Sequence, residues 1–212
     1  PDSAHAERRA WSPVIKDALR DSRLDIHLQP IVALQSGQIA FYEALCRLRS
    51  PDGTIFAAGD WIDHAEHLGL MPAIDSLMLQ QAGDLLRDEP DLCVFVNISA
   101  SSFHDRTVMN RLEEQLATVP YGSLGIEITE HTTLSNPDRT RERLEQLKRA
   151  GALIAIDDFG LGFTSFNELA SLPCDIVKIP GSFAQPASST VADGTAIAQA
   201  ISHVAHHYGK SV

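Results

Sequence analysis

A chain of 212 residues is long enough to bury a full core, and α/β barrels of this size or larger fold as one unit. Its 28 Asp and Glu against 17 Lys and Arg give a formal charge of -11 and an isoelectric point near 5.1, which argues against broad electrostatic binding to a nucleic-acid polymer or an anionic membrane. A small anionic ligand then needs a local cation, either a metal ion or a few placed Arg and Lys side chains. Cys46, Cys93 and Cys174 each lie in an apolar stretch and lack the close spacing of a zinc or redox pair, so they read as buried thiols in a reducing compartment. No apolar run approaches the ~20 residues of a membrane span, and the N-terminus lacks the layout of a signal peptide. The expectation is a soluble, cytoplasmic domain, with any membrane anchor belonging to a larger parent protein.

In chain order, residues 5–22 read as a helix with Trp11, Val14, Ile15, Ala18 and Leu19 on one face; Pro13 favours a start at Ser12, inside the first turn. Two β-rich runs, 24–34 and 38–48, joined through Gln35-Ser36-Gly37, predict an antiparallel hairpin. A helical region over 59–86 is broken in two by Gly69 and Pro72. Apolar strands then alternate with amphipathic helices: strand 93–99, helix 107–119, strand 124–129, helix 138–150, strand 153–158, a Gly-rich turn and helix 165–172, strand 175–179, and helix 194–209. The alternation predicts βαβ units and a parallel sheet covered on both faces. The small-residue stretch 186–194 reads as a flexible connection.

Polar residues interrupt the apolar runs at particular places. Glu43 falls in the second strand, Asn97 ends the third, Glu127 lies in the fourth, Asp157 and Asp158 end the fifth, and Lys178 stands near the end of the sixth. Singly, each has an ordinary structural explanation: a hairpin edge for Glu43, a cap for Asn97, a turn for Asp158, a carboxylate partner for Lys178. Their repetition at successive strand ends favours a common site, because buried charges are costly unless paired or bound to metal and barrel active sites gather where strands end. Carboxylates with an amide oxygen form a hard oxygen shell suited to Mg²⁺ or Mn²⁺, and no His or Cys cluster competes for zinc.

Glu43-Ala44-Leu45 with Arg47 resembles the signature of EAL domains, and the neighbouring motifs agree in order and spacing: Gln29-Pro30-Ile31-Val32, Val96-Asn97-Ile98-Ser99, Glu127-Ile128-Thr129-Glu130, Asp157-Asp158-Phe159-Gly160 and Lys178-Ile179. The resemblance covers residues 24–212 and leaves 1–23 as an N-terminal helix or linker. It implies a TIM-like (β/α) barrel with an antiparallel first strand pair, incomplete at the C-terminus, where strands seven and eight and the strand-seven Glu are not present. It also implies metal-dependent hydrolysis of cyclic di-GMP to the linear dinucleotide pGpG.

On that resemblance Glu43, Asn97, Glu127 and Asp157 hold a first Mg²⁺ or Mn²⁺, and Asp158 with Asp157 a second. Lys178 lies beside the attacking water, with Glu43 and Asp157 counted as catalytic. Gln29, Arg47 and Asp158 contact the nucleotide, and Glu130 steadies the loop after the Asp pair. The resemblance further implies a homodimer and a fused sensor or cyclase domain elsewhere in the parent protein. Three departures favour the alternative of a non-catalytic cyclic di-GMP receptor: Pro180 where the family has Asp, Leu161 and Phe163 where it has hydroxyl-bearing residues, and the strand-seven Glu.

Overall fold

The computed structural model describes residues 2–134, 136–161, 166–183 and 194–212. The expected connection over 186–194, except for Gly194, and the departure at Phe163 lie outside these residues. The chain divides into two compact units, Pro1–Leu124 and Gly125–Val212.

In the first unit, helix α1 (Asp2–Arg20) runs through Pro13 rather than starting at Ser12. Burial of Ile15 and Ala18, both 0% exposed, offsets the hydrogen bond that proline cannot donate. The helix stops at Arg20, short of the expected 22, because Ser22 turns left-handed at φ 53 and Arg23 N–H closes onto Ala18 O at 2.8 Å. Strands β1 (Leu24–Val32) and β2 (Ile39–Arg49) form the expected antiparallel hairpin, with Gly37 at φ 69 in its turn.

Strand β3 (Ile55–Ala57), which sequence periodicity did not reveal, pairs with the end of β2. Helices α2 (Ile62–His67) and α3 (Met71–Asp88) separate at Gly69, φ 67, and Pro72 sits in the first turn of α3, where its missing N–H has no helical partner to lose. Strand β4 (Val94–Asn97) runs parallel to β2, its apolar residues buried and Asn97 exposed. The single helix expected over 107–119 is preceded by a second one: α4 (Ala100–His104) and α5 (Arg106–Leu116) meet at Asp105, whose carboxylate accepts the N–H groups of Thr107 and Val108.

The second unit carries three parallel strands, β5 (Leu124–Thr129), β6 (Leu153–Asp157) and β7 (Ile176–Val177), in register Glu127↔Ala155, Thr129↔Asp157 and Ile156↔Val177. Strand β7 is shorter than the expected 175–179, consistent with Pro180, which has no N–H to extend a ladder. Around these strands lie α6 (Glu130–Leu134), α7 (Pro137–Arg149), α8 (Phe166–Ser171) and α9 (Gly194–His207). Beyond α9, Ser211 makes a parallel bridge to Ile176 and exchanges hydrogen bonds with Asp175 O and Val177 N–H, both 2.9 Å. Among the described residues no helix is long and apolar enough to cross a membrane.

Candidate active site

Strand alternation sorts the signature residues of β2. Ala44, Cys46 and Leu48 face the core at 4%, 9% and 0% exposure, so Glu43, Leu45 and Arg47 share the other, half-buried face. Gln29 lies directly opposite Glu43 in the β1–β2 register and shares that face. Arg47 lies opposite Asp25, and its guanidinium donates to Cys46 O at 2.9 Å. Because Glu43 pairs with Phe95 in the parallel β2–β4 register, Asn97, two residues on, projects to the same side. Its Nδ2 donates to Glu43 Oε1 at 2.8 Å. With its nitrogen committed to the carboxylate, Asn97 has its carbonyl oxygen as the atom to offer a cation.

In the second unit the same parity puts Glu127, Asp157 and Lys178 on one side of their sheet, with Ile126, Ile154, Ile156 and Val177 buried on the other. Glu127 is 1% exposed, and the Lys178 ammonium contacts its Oε2 and lies 3.6 Å from Asp157 Oδ1. The proline two residues on does not turn this lysine away from the carboxylates. Lys178 N–H donates to Ile156 O at 2.8 Å, and its carbonyl accepts the Phe159 N–H at 3.1 Å, which ties the lysine to both sides of the Asp pair.

Asp158 adopts a left-handed backbone, φ 55, and is exposed while the next residue, Phe159, is buried at 1%. Partial burial and then the like charge of Asp157 push its carboxyl pKa up, against the opposing pull of Lys178. Glu130, 3% exposed at the start of α6, accepts the Gly160 N–H at 3.1 Å, so it holds the loop that follows the Asp pair. Leu161, where the resemblance expects a hydroxyl, is 61% exposed.

The implied ligands therefore occur as Glu43 with Asn97 in one unit and Glu127 with Asp157 in the other. Among the described residues, no three His, Cys, Asp or Glu side chains form a group placed to hold an ion. The donor chemistry still fits a hard divalent cation: every atom on offer is oxygen, and a carboxylate as buried as Glu127 is stable only beside positive charge. Cys46 and Cys174 are buried free thiols as expected, whereas Cys93 is only half-buried. Burial, with Asp75 nearby, raises the Cys46 thiol pKa to about 12, away from any nucleophilic role.

The EAL domain profile matches residues 14–212. The chain belongs to the EAL domain family. It is 34% identical over 180 residues to cyclic di-GMP phosphodiesterase PdeB of Shewanella oneidensis, covering 82% of this chain and 21% of that protein. It is 34% identical over 194 residues to cyclic di-GMP phosphodiesterase NbdA of Pseudomonas aeruginosa, covering 88% and 25%. The chain thus spans a minor part of these curated relatives.

Among solved structures, the PaMucR phosphodiesterase in complex with c-di-GMP aligns with TM-score 0.86 at 29% identity, covering 95% of this chain and 84% of that one. The FimX EAL domain of Pseudomonas aeruginosa bound to c-di-GMP aligns with TM-score 0.82 at 26% identity, covering 94% and 82%. The fold is accordingly the α/β fold of EAL domains, with a mixed sheet that opens on an antiparallel pair.

One buried carboxylate of this EAL domain escaped the sequence reading. Asp75, in the second turn of α3, is 3% exposed and accepts the Ser99 N–H at 2.9 Å. The available signal was its place between Ile74 and Met78 on the apolar face of the helix, where a solvated Asp does not belong.

Proposed function

We propose that this EAL domain hydrolyses cyclic di-GMP to pGpG with two bound Mg²⁺ or Mn²⁺ ions. The observation that carries the reading is Glu127, 1% exposed, with the Lys178 ammonium against it and Asp157 3.6 Å from the same ammonium. Two carboxylates around one ammonium keep a net negative charge, which has a use where divalent cations must be held beside an anionic phosphodiester. The ions, when bound, lower the pKa of water and offset charge on the phosphoryl oxygens.

The chain's residues do the placing. Glu43 and Asn97 of the first unit and Glu127, Asp157 and Asp158 of the second would supply the oxygens that hold the ions. Lys178 holds the attacking water and favours its deprotonated form. The water oxygen bonds to phosphorus, one phosphorus–O3′ bond breaks, and the proton ends on the departing 3′ hydroxyl. Arg47 grips a phosphate as a planar fork, Gln29 lies along the nucleotide, and Glu130 keeps the Asp158 loop in place through Gly160 N–H.

The proposal extends to a homodimer in the cytoplasm, with residues 1–23 as the link to a sensor or cyclase domain and 24–212 as the catalytic domain. Incubation with cyclic di-GMP and Mn²⁺, followed by chromatography, tests it: pGpG is the expected product. Nucleotide binding without product, with enzyme in excess, would instead make the domain a receptor, the reading that Leu161 and Pro180 favour.

A further inference from the structure

Asp75 belongs to none of the roles above, yet it lies deep in the first unit at 3% exposure. Its Oδ2 accepts the Ser99 N–H at 2.9 Å, and the Ser102 hydroxyl also bonds to it. Ser99 is extended, at φ -66 and ψ 156, and is the N-cap of α4. Its own hydroxyl accepts the Ser102 N–H at 3.2 Å and bonds the Ser102 hydroxyl at 2.8 Å. Helix α4 therefore takes its cap from the Ser99 hydroxyl, which also bonds to Asp75.

A neutral acceptor such as an amide oxygen could take the Ser99 N–H as well, so a buried carboxylate there is costly even with the Ser102 and Ser99 hydroxyls bonded to it. The neighbouring charge, Glu66, has the same sign and does nothing to lower that cost. What the carboxylate does fix is the end of a very short link. Ser99 stands two residues past Asn97, separated only by Ile98, which is 2% exposed. The near end of the link is the β4 ladder, and Asn97 between them donates to Glu43 at 2.8 Å.

We propose that Asp75 is a positioning residue for the Asn97–Glu43 pair: by holding the Ser99 N–H it sets where the Asn97 amide points, and so which oxygen Asn97 presents to a divalent cation. The inference rests on the metal-dependent reading given above for that pair. A partner bonded directly to a metal ligand is worth about 10- to 100-fold in metal affinity, and Asp75, acting through the backbone two residues away, belongs at or below the lower end of that range.

The test compares Asp75→Ala, Asp75→Asn and Asn97→Ala in the metal-free chain, by Mn²⁺ calorimetry and by the NMR signals of the Asn97 side-chain amide. Asp75→Ala is expected to weaken Mn²⁺ binding about tenfold and to shift the Asn97 amide signals. Asp75→Asn, which keeps an acceptor oxygen for Ser99, should recover most of both. A folded Asp75→Ala protein with unchanged Asn97 signals and Mn²⁺ affinity would overturn the inference.

If Asp75→Ala does not fold, Ser99→Ala against the same chain with lactate in place of residue 99 carries the test. The ester removes only the N–H that alanine keeps, both lacking the hydroxyl. The ester alone should reproduce the loss, and equal behaviour of the two overturns the proposal. Should Asn97→Ala bind Mn²⁺ as well as the wild type, the metal reading of this pair fails instead, while the Asn97 signals still report whether Asp75 positions it.

Discussion

Glu43 and Glu127 both stand in strands and both face polar neighbours, but they live in different surroundings. Glu43 is half-exposed and receives an amide N–H from Asn97, while Glu127 is 1% exposed and meets the ammonium of Lys178. Water shares in solvating the first, so its neighbour's main work is orientation. The second has lost nearly all its water, so its neighbour must cancel charge before it can orient anything. Changes on the two sides should accordingly separate into losses of activity and losses of stability.

The largest expected effect is on turnover. Glu43→Ala should reduce cyclic di-GMP hydrolysis by at least about a thousandfold, the loss of several kcal/mol of charge stabilisation, while its urea midpoint stays near that of the wild type. Full activity in this variant would remove the β2 side from the site. Next comes Lys178→Met, which removes the ammonium beside the buried Glu127 carboxylate and should cost about 3 kcal/mol in urea unfolding. Adding Glu127→Gln should restore most of it. Equal stability of Lys178→Met and wild type would mean that the ammonium is not the compensating charge.

The smallest effect concerns pH. Burial raises the Asp75 carboxyl above its ordinary 3.8, with Glu66 adding to the rise and hydrogen bonds from Ser102 and Ser99 opposing it. The folded chain then binds the proton more tightly than the unfolded chain, so the Asp75 contribution is greatest below pH 3.8 and shrinks as pH climbs through the folded value. Thermal melts from pH 7 downward should show the wild type gaining on Asp75→Asn. A constant gap would argue against the shift.

Much of this fold was legible because its strands are nearly unbroken apolar runs, and the same property exposed Glu43, Asn97, Glu127, Asp157 and Lys178 as interruptions. Short elements were not legible for physical reasons. β3 is three residues long with Ile55 53% exposed, so it carries no period to detect. The α4–α5 junction depends on the Asp105 side chain, and α6 starts at Glu130 directly after β5, with no intervening turn signal. Asp75 was missed because an Asp within a helix ordinarily faces solvent, and only tertiary packing shows that this one does not. The aim of Lys178 past Pro180 likewise depended on hydrogen bonds to Ile156 and Phe159 that no local pattern encodes.

The left-handed backbone of Asp158 narrows what inheritance can do at this position. At φ 55 glycine is at ease and Asn or Asp is tolerated, whereas a β-branched residue would carry a penalty of roughly 1–2 kcal/mol. A lineage that gives up this carboxylate without disturbing the loop is therefore channelled toward Asn or Gly. Sister sequences bearing either residue here would preserve the shape of the turn after its charge had gone.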